Sequence, residues 1–507
     1  MKKIPVILLS LLMLSARAQF RLKGRVDPST GTEMQVRIPY VYDFFDQDAL
    51  TVPVKQDGSF DLRLPVSKEG FVMLNYNKKE FLIFVRPYQS LCINAGKGNP
   101  GELKPVGGSL LKENKVLFAA NPFEYPDFMI SEIPAAVLSK LSPDSVYTAY
   151  IRPWMDHVKE KTAAIQQTTL PGRLKALFIQ ETRSAAYCRA NEFAQTGFMN
   201  SKRLAAFYKL LYQLVSPQST VSNPGPIYYL FVDYYNGYLE SDAMRQLEAS
   251  GHKTNVPLVH YNVSLDSGTA LIKQKGKPYL NWLAVKNTNS RDVAEAYLAQ
   301  QVFTKYAEKD LNYAGALLEE LKKTYPDSRY YPSLKKKVAE LETLLARNKD
   351  NKAIQILTNY ESVSSIYQVI DSLRGKVVYL DVWGTWCGPC KQELKFTPQL
   401  KQYFKGKDVA FVYLDMDDDE RAAVWKEFIK VNALTGIHLR KNREQMTPFW
   451  KELLTGAGDK SEYYPQYFIF DKKGKLVVAK AERPSRKELL YQQIETVLNS
   501  DIPATGH

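Results

Sequence analysis

Cysteine is scarce in this chain, which has 4 cysteines among 507 residues. Cys92 lies in a strand-like apolar run and Cys188 in a helical one, and neither has a second cysteine nearby. This sparse spacing excludes a small domain that is held together by disulfides. A bridge between Cys92 and Cys188 is one interpretation, and two buried free thiols are the interpretation that their apolar surroundings favour. The only close pair is Cys387 and Cys390.

The sequence also lacks the pattern of a metal site. No second Cys-x-x-Cys pair accompanies the first, and the 5 histidines do not have the spacing of zinc ligands. The close cysteine pair therefore favours redox chemistry over half of a zinc site. We expect neither a bound metal nor a cofactor.

Long apolar runs are missing as well. Residues 1–18 have a basic start, an apolar run from Ile4 to Leu14, and the small-x-small pattern Ala16-Arg17-Ala18, which is typical of a cleavable signal peptide. The run is shorter than the roughly 20 residues of a membrane-spanning helix, and no later segment is apolar enough to span. We therefore expect export to the periplasm or cell envelope, a mature chain that begins near Gln19, and no transmembrane anchor.

The formal net charge is +14. Basic residues are interspersed with acidic ones along helical stretches, for example Lys322, Lys323 and Lys335–Lys337, which is typical of solvated helix faces. Together with the expected export, this distribution argues against nucleic acid as a partner.

Changes in periodicity predict a multidomain chain. Residues 19–107 alternate apolar and polar side chains, as in Phe60–Leu64, which predicts an N-terminal antiparallel β-sandwich. Residues 108–350 carry apolar residues three or four apart, which predicts an α-helical domain. Residues 351–500 change pattern again, and residues 501–507 form a tail.

Residues 351–500 predict the strand and helix order β-α-β-α-β-β-α of an α/β thioredoxin fold. Val377–Val382 is a continuous apolar run, interrupted only by Asp381, that suits a strand buried on both faces. A helix begins at the cysteines, and Ala410–Leu414 predicts a second buried strand. The last helix is predicted to begin with a capping box formed by Ser485 and Glu488.

The chemistry is predicted from Trp386-Cys387-Gly388-Pro389-Cys390, which follows the buried strand and opens a helix. At a helix N-terminus, unpaired N–H groups and the helix dipole stabilise a thiolate, which is the species that attacks a disulfide. Cys387 is therefore the predicted attacking thiol. The two-residue gap lets Cys390 reach back and resolve the mixed disulfide.

Residues 353–500 resemble the TlpA/ResA branch of the thioredoxin superfamily. Three segments carry this resemblance: Lys376–Trp383, Trp386–Glu393 and Tyr464–Asp471. Gly388-Pro389 is the dipeptide of thioredoxin, whose low potential favours reduction over oxidation. Together with the expected export, this predicts a periplasmic protein disulfide reductase.

The resemblance also implies individual roles. Asp381, six residues before Cys387, matches a buried carboxylate that takes and returns the proton of the second cysteine. Glu393 matches a glutamate of the active site that could share this task, and a solvated helix residue is the alternative.

Pro465 matches a cis-proline beside the active-site disulfide. Tyr464 is then expected to pair with an extended substrate segment, with further substrate contacts from Trp386, Gly388 and Pro389. The chain departs from the family pattern at Gln466, where a threonine is common, and at Lys395, where many relatives have a helix proline. These departures concern substrate choice and helix bending.

The expected partners are disulfide-bearing proteins of the envelope as substrates and a membrane dithiol donor that regenerates the pair. Two other functions stay open. One is a disulfide isomerase that is dimerised by its N-terminal domains. The other is an envelope binding protein whose thioredoxin-like domain is a docking module or redox switch.

Overall fold

The structure is a computed structural model of the chain. It describes residues 19–27, 34–45, 48–96, 99–130, 133, 135–197, 201–251, 253, 255 and 257–500. The predicted signal peptide and the predicted C-terminal tail lie outside the described residues. The chain divides into two compact units, residues 1–301 and residues 302–507.

Eight described strands of the first unit lie before residue 108. They are β1 Phe20–Arg25, β2 Met34–Arg37, β3 Leu50–Thr51, β4 Ser59–Leu64, β5 Gly70–Tyr76, β6 Lys79–Val85, β7 Ser90–Gly96 and β8 Asn99–Gly107. Two short strands follow later in the chain, β9 Pro257–Leu258 and β10 Val263–Ser264. The first eight form two four-stranded sheets with the orders β4-β1-β7-β8 and β3-β2-β5-β6. All neighbours are antiparallel except β1 and β7, which are parallel. The arrangement of the two sheets as a sandwich stays a prediction.

Helices follow from residue 111 onwards, as the periodicity predicts. They are α1 Leu111–Ala120, α2 Asp127–Ile130, α3 Ala135–Leu138, α4 Pro143–Val146, α5 Arg152–Gln167, α6 Gly172–Gly197, α7 Ser201–Tyr212, α8 Pro226–Ala249, α9 Leu265–Lys275, α10 Lys277–Thr288 and α11 Arg291–Ala307. The short antiparallel pair β9 and β10 interrupts this helical stretch, which the apolar periodicity does not predict. The division between the two units falls within α11.

The second unit is built on a six-stranded sheet. Its strands are β11 Ile354–Ile356, β12 Val377–Trp383, β13 Val409–Asp415, β14 Gly436–Arg440, β15 Gln466–Phe470 and β16 Leu476–Ala479. Their order is β11-β14-β13-β12-β15-β16, with β15 and β16 antiparallel to their neighbours and the other pairs parallel. The predicted order omits β11 and β14, which are short and only partly buried.

Eight helices of the second unit are described. They are α12 Leu311–Thr324, α13 Tyr331–Arg347, α14 Ile366–Asp371, α15 Gly388–Leu394, α16 Thr397–Tyr403, α17 Ala422–Val431, α18 Met446–Leu453 and α19 Glu488–Asn499. Helices α12 and α13 pack against α17, so residues predicted for the helical domain lie on the C-terminal unit. The predicted domain limits stay a prediction.

All seven residues of β12 are buried, because this strand lies between β13 and β15 and both sheet faces are covered. Val378, Leu380 and Val382 belong to the apolar core with α14, α17 and α18. Val377 and Tyr379 alternate to the other face and join the core with α16 and α19. Asp381 therefore lies on the side of α16 and α19.

Two local expectations about helices have different outcomes. The helix at the cysteines is broken between α15 and α16 although Lys395 stands where relatives have proline, and Pro398 lies in the first turn of α16. The predicted capping box of Ser485 and Glu488 is wrong. Ser485 lies in a 3-10 turn before α19, and its hydrogen bonds go to another helix instead.

Candidate active site

The cysteine pair lies where β12 gives way to α15. Cys387 is the N-cap residue of α15, and a disulfide joins it to Cys390. The Cys390 N–H donates to the Cys387 Sγ atom at 3.1 Å. Cys387 is 4% exposed and Cys390 is 2% exposed, whereas Trp386 beside them is 51% exposed. The sulfur of Cys387 thus faces a backbone N–H group of the helix start, which is the surrounding that favours a thiolate.

Hydrogen bonds fix Thr385, which lies in the loop between β12 and Cys387. The Thr385 N–H donates to Asp417 Oδ1 at 3.0 Å, and the Thr385 hydroxyl donates to the other oxygen of the same carboxylate. Arg421 donates to Thr385 Oγ1 at 2.9 Å. Burial raises the pKa of Asp417 although the hydrogen bonds from Thr385 oppose this. Sequence analysis missed Thr385, Asp417 and Arg421. The acidic run Asp417–Glu420 after β13 was the signal that could have indicated them.

Asp381 is a buried carboxyl group on β12, the strand that leads to the cysteine pair. Its Oδ1 atom has no hydrogen-bond partner within the described part of the chain. Burial, together with the nearby Glu393 carboxylate, raises the pKa of Asp381 to about 8, while the ammonium of Lys401 opposes the rise. The group can therefore change its protonation state near neutral pH.

Glu393 is buried on α15 and is not a solvated helix residue. Ser485 holds its carboxylate with the backbone N–H and the hydroxyl, each at 2.9 Å. The Arg483 guanidinium lies 3.6 Å away. The Glu393 carboxylate is, after burial, the second cause of the raised pKa of Asp381.

Lys401 on α16 is a third ionisable group of this region. It donates to the carbonyl oxygen of Thr435 and, at 3.2 Å, to its hydroxyl, and its ammonium lies 4.8 Å from the ring centre of Tyr413. Burial lowers the pKa of Lys401 to about 7, and the charge of Asp381 opposes this fall. Sequence analysis missed Lys401, because only the packing of α16 on the sheet shows that this lysine is partly buried.

The chain segment before β15 carries the predicted proline. The Tyr464-Pro465 peptide bond is cis, as the resemblance implies. The Tyr464 ring packs edge-on between two indoles, with centroid distances of 5.6 Å to Trp386 and 5.6 Å to Trp450. Gln466, one of the two departures, is buried and donates to the Ser461 carbonyl oxygen at 2.7 Å.

A groove of about 720 Å³ lies beside the disulfide. Trp386, Tyr464 and Trp450 line it on the aromatic side, and Met416 and Arg421 also line it. The Trp386 indole N–H donates to the Met416 carbonyl oxygen at 3.3 Å, which fixes the exposed ring at the edge of the groove. A polypeptide segment placed here would contact Trp386, the residue before Cys387.

Outside this site, Cys92 and Cys188 are free thiols, so a bridge between them is not formed. Cys188 is buried, and burial raises the pKa of its thiol, whereas Cys92 is only partly buried. No helix among the described residues is long and apolar enough to cross a membrane.

Comparison with known proteins points to one family. The Redoxin family profile matches residues 352–498. A thioredoxin from Oryctolagus cuniculus is 33% identical over 102 residues, which are 18% of this chain and 95% of the relative. The thiol-disulfide oxidoreductase ResA of Bacillus thuringiensis is 31% identical over 109 residues, which are 21% of this chain and 56% of the relative. The chain thus spans about half the length of this ResA protein.

A solved structure is also similar to the C-terminal residues. It is the thioredoxin domain of a thiol-disulfide oxidoreductase from Bacteroides vulgatus, which is 23% identical. The match covers 25% of this chain and 84% of that one, with a TM-score of 0.21.

Proposed function

Because this chain belongs to the thioredoxin family, in its TlpA/ResA-like branch, we propose that it is a thiol-disulfide oxidoreductase that reduces disulfides in other proteins. One observation carries this proposal. A Cys-Gly-Pro-Cys pair caps α15 directly after an exposed indole, and the strand that leads to the pair, β12, carries a buried carboxyl group whose pKa is raised to about 8.

The proposed reaction transfers two electrons in two steps. The Cys387 thiolate attacks one sulfur of the substrate disulfide, forms a mixed disulfide and releases the other substrate sulfur as a thiolate. The Cys390 thiolate then attacks the Cys387 sulfur, which frees the second substrate sulfur and leaves the Cys387–Cys390 disulfide that the structure contains. The substrate leaves with two thiols, and the enzyme is oxidised.

The second step needs a base, because Cys390 is 2% exposed and water reaches its proton poorly. We assign Asp381 as the carboxylate that accepts this proton, since its raised pKa suits exchange near neutral pH. Glu393 supports this role by raising the pKa of Asp381, and it is the alternative proton carrier.

Reduction is favoured over oxidation by the dipeptide between the cysteines. Gly388-Pro389 is the dipeptide of thioredoxin, whose potential is near −270 mV, well below the roughly −120 mV of a strong periplasmic oxidant. Substrate contacts are assigned to Trp386 and Tyr464, which line the groove, and to Gly388, Pro389 and Pro465 beside the disulfide.

For the rest of the molecule the proposal is broader. We infer that the chain is exported to the periplasm or envelope, that its substrates are envelope proteins, and that a membrane dithiol donor regenerates the pair. The two N-terminal sheets are proposed to form a β-sandwich that, with the helical region, selects partners. An isomerase would need two active domains in one assembly, so a monomer in solution argues for the reductase.

Substrate trapping tests the assigned thiol roles. The Cys390→Ser variant should hold substrate proteins covalently on Cys387, because the mixed disulfide cannot be resolved, whereas Cys387→Ser should hold none. The measurement is the set of proteins released by reductant from each purified variant. Equal sets from both variants would show that the roles of the two thiols are wrongly assigned.

Turnover distinguishes an enzyme from a docking module. The full chain with dithiothreitol should reduce insulin, and Cys387→Ser should lose this activity. A wild-type protein that folds but does not accelerate insulin reduction would favour the docking module.

A further inference from the structure

Lys391, the residue after Cys390, is unusual because its charged side chain is buried. Its side chain is 6% exposed, although a lysine at a helix start would ordinarily reach solvent. Its ammonium lies 2.8 Å from Asp310 Oδ2 and 3.2 Å from Glu308 Oε2. Both acids precede α12, and Asp310 is itself 3% exposed. A segment outside the predicted thioredoxin-like domain therefore contacts the active-site helix.

Four charged side chains form this group, which we call the Lys391 ion cluster: Lys305, Glu308, Asp310 and Lys391. Lys305 lies 2.8 Å from Glu308, so two cations balance two carboxylates. Burial alone would lower the pKa of Lys391, but Asp310 and Glu308 outweigh it and raise the pKa. The cluster as a whole is neutral and holds its ammonium charged.

The cluster is joined directly to the reactive pair through the backbone. Lys391 follows Cys390 in the chain, and its N–H donates to the Cys387 carbonyl oxygen at 3.1 Å. The Lys391 ammonium also lies 5.5 Å from the ring centre of Phe428 on α17.

The same segment also reaches the other flank of the pair. Tyr313 in the first turn of α12 accepts a hydrogen bond from Arg421, which in turn donates to Thr385. Residues 308–313 thus contact the active-site loop before the cysteines, through Arg421, and the active-site helix after them, through Lys391.

From this geometry we propose that Lys391 is a positioning residue, held by Asp310 and Glu308, that sets the acidity and reactivity of Cys387. The proposal rests on the proposed function, since it concerns the same cysteine pair. It makes residues 308–313 a part of the redox site.

The proposal predicts pKa shifts of the Cys387 thiol in opposite directions when a positive or a negative charge is removed from the cluster. Loss of structure would not produce such opposite shifts. Removal of Lys391 leaves the cluster with one excess negative charge, which should raise the pKa of the Cys387 thiol. Removal of the Asp310 charge leaves one excess positive charge, which should lower it. Removal of both restores neutrality. The other ionisable side chains around the site keep their identity in all variants: Asp381, Glu393, Lys401, Asp415, Asp417, Arg421, Glu427 and Arg483. Of these, Glu427 and Arg421 interact electrostatically with Asp310, which raises the pKa of both.

The experiment measures the rate of iodoacetamide alkylation of Cys387 against pH in the reduced full chain, by mass spectrometry of the Cys387 peptide. We expect the midpoint to rise by about 0.5 pH unit in Lys391→Met and to fall by about as much in Asp310→Asn. The double variant and Lys391→Arg should lie close to the wild type. Shifts of the same direction in both single variants, or no shift, would overturn the proposal.

Two further arms keep the test decisive. If Lys391→Met does not fold, the isosteric Asp310→Asn decides alone, because only a fall of the midpoint supports the proposal. Alkylation needs no turnover, so it is read independently of insulin reduction by the wild type. A wild type without reductase activity would contradict the proposed function and leave the result on Lys391 intact.

Discussion

At the scale of single residues, Asp381 is the buried group to which we assign proton transfer. The carboxyl group lies on a strand that is buried throughout, and one of its oxygens has no partner within the described residues. A carboxyl group in such a place is costly when ionised, which is why its pKa is raised to about 8. The same cost provides two separate predictions, one kinetic and one thermodynamic.

The kinetic prediction concerns resolution of the mixed disulfide. Asp381→Asn preserves the shape of the side chain but cannot accept a proton, so attack by Cys390 should slow by roughly 10²–10⁴-fold. The initial attack by Cys387 should change much less. Rapid-mixing kinetics on a model disulfide separate the two steps. An unchanged resolution rate in Asp381→Asn, with a slowed rate in Glu393→Gln, would identify Glu393 as the proton carrier.

The thermodynamic prediction concerns the pH dependence of stability in the oxidised protein. The folded pKa of Asp381, about 8, lies above the value of about 3.9 for an unfolded aspartic acid. Below pH 4 the carboxyl group is protonated in both the folded and the unfolded state, so burial of its charge costs no stability. As the pH rises towards 8, the group ionises in the unfolded state first, and the free energy of unfolding of the wild type falls. Asp381→Asn should raise the free energy of unfolding by about 1–4 kcal/mol at pH 8 and by almost nothing at pH 4. Denaturant unfolding at both pH values measures the difference, and an equal gain at both would contradict the assignment.

We expect Glu393 to affect the reaction through Asp381. Its carboxylate raises the pKa of Asp381, so Glu393→Gln should lower that pKa and move the pH profile of resolution to lower pH. Ser485 donates two hydrogen bonds to Glu393, and Ser485→Ala is the matched variant that keeps the charge. That variant should shift the profile less than Glu393→Gln does. A profile that moves to higher pH in Glu393→Gln would exclude this electrostatic role.

At the scale of elements, β14 depends on a single glycine. Gly436, at the start of the strand, has a φ of +123°, and a Cβ added there would lie 2.6 Å from the Phe411 carbonyl oxygen of β13. Gly436→Ala should therefore lower the free energy of unfolding by roughly 1–3 kcal/mol. Gly458→Ala is the control, since a Cβ at Gly458 has no neighbour within 4 Å. Equal melting temperatures of the two variants would contradict this reading of the strand.

At the scale of the whole molecule, the catalytic unit is larger than the segment that carries the motifs. Helices α12 and α13 pack against α17, and Asp310 and Tyr313 bind Lys391 and Arg421. A fragment of residues 353–507 loses these partners, and the face of α17 that α12 and α13 cover becomes exposed to water. We expect it to melt roughly 10 °C below a fragment of residues 302–507, because apolar surface that is buried in the longer fragment is exposed in the shorter one.

Two controls define the cause of that difference. Lys391→Met in the longer fragment should lower its melting temperature, and in the shorter fragment, where the acids are absent, it should not. Identical melting temperatures of the two wild-type fragments would show that residues 302–352 contribute nothing to the stability of the thioredoxin-like fold.

The sequence alone determined the family and the positions of the cysteines, because these depend on local patterns. A buried strand followed by Cys-Gly-Pro-Cys predicts where the helix begins, and Asp381 stands out because it interrupts an apolar run. Pro465 followed from the resemblance, and its peptide bond is cis. The likeness to TlpA/ResA-like proteins is confirmed by the relatives that the chain matches.

Only the tertiary structure decided which distant residues meet the site. Ser485 satisfies the pattern of a helix cap, yet it binds Glu393 because the turn before α19 lies against α15. Lys391 and Lys401 look like any solvated helix lysine in the sequence. Lys391 is buried and Lys401 is partly buried because of residues that approach from elsewhere in the chain, such as Asp310 and Thr435. Periodicity records which face of an element is apolar, but it does not record which element covers that face, and this is why the ion cluster around the active-site helix could not be predicted.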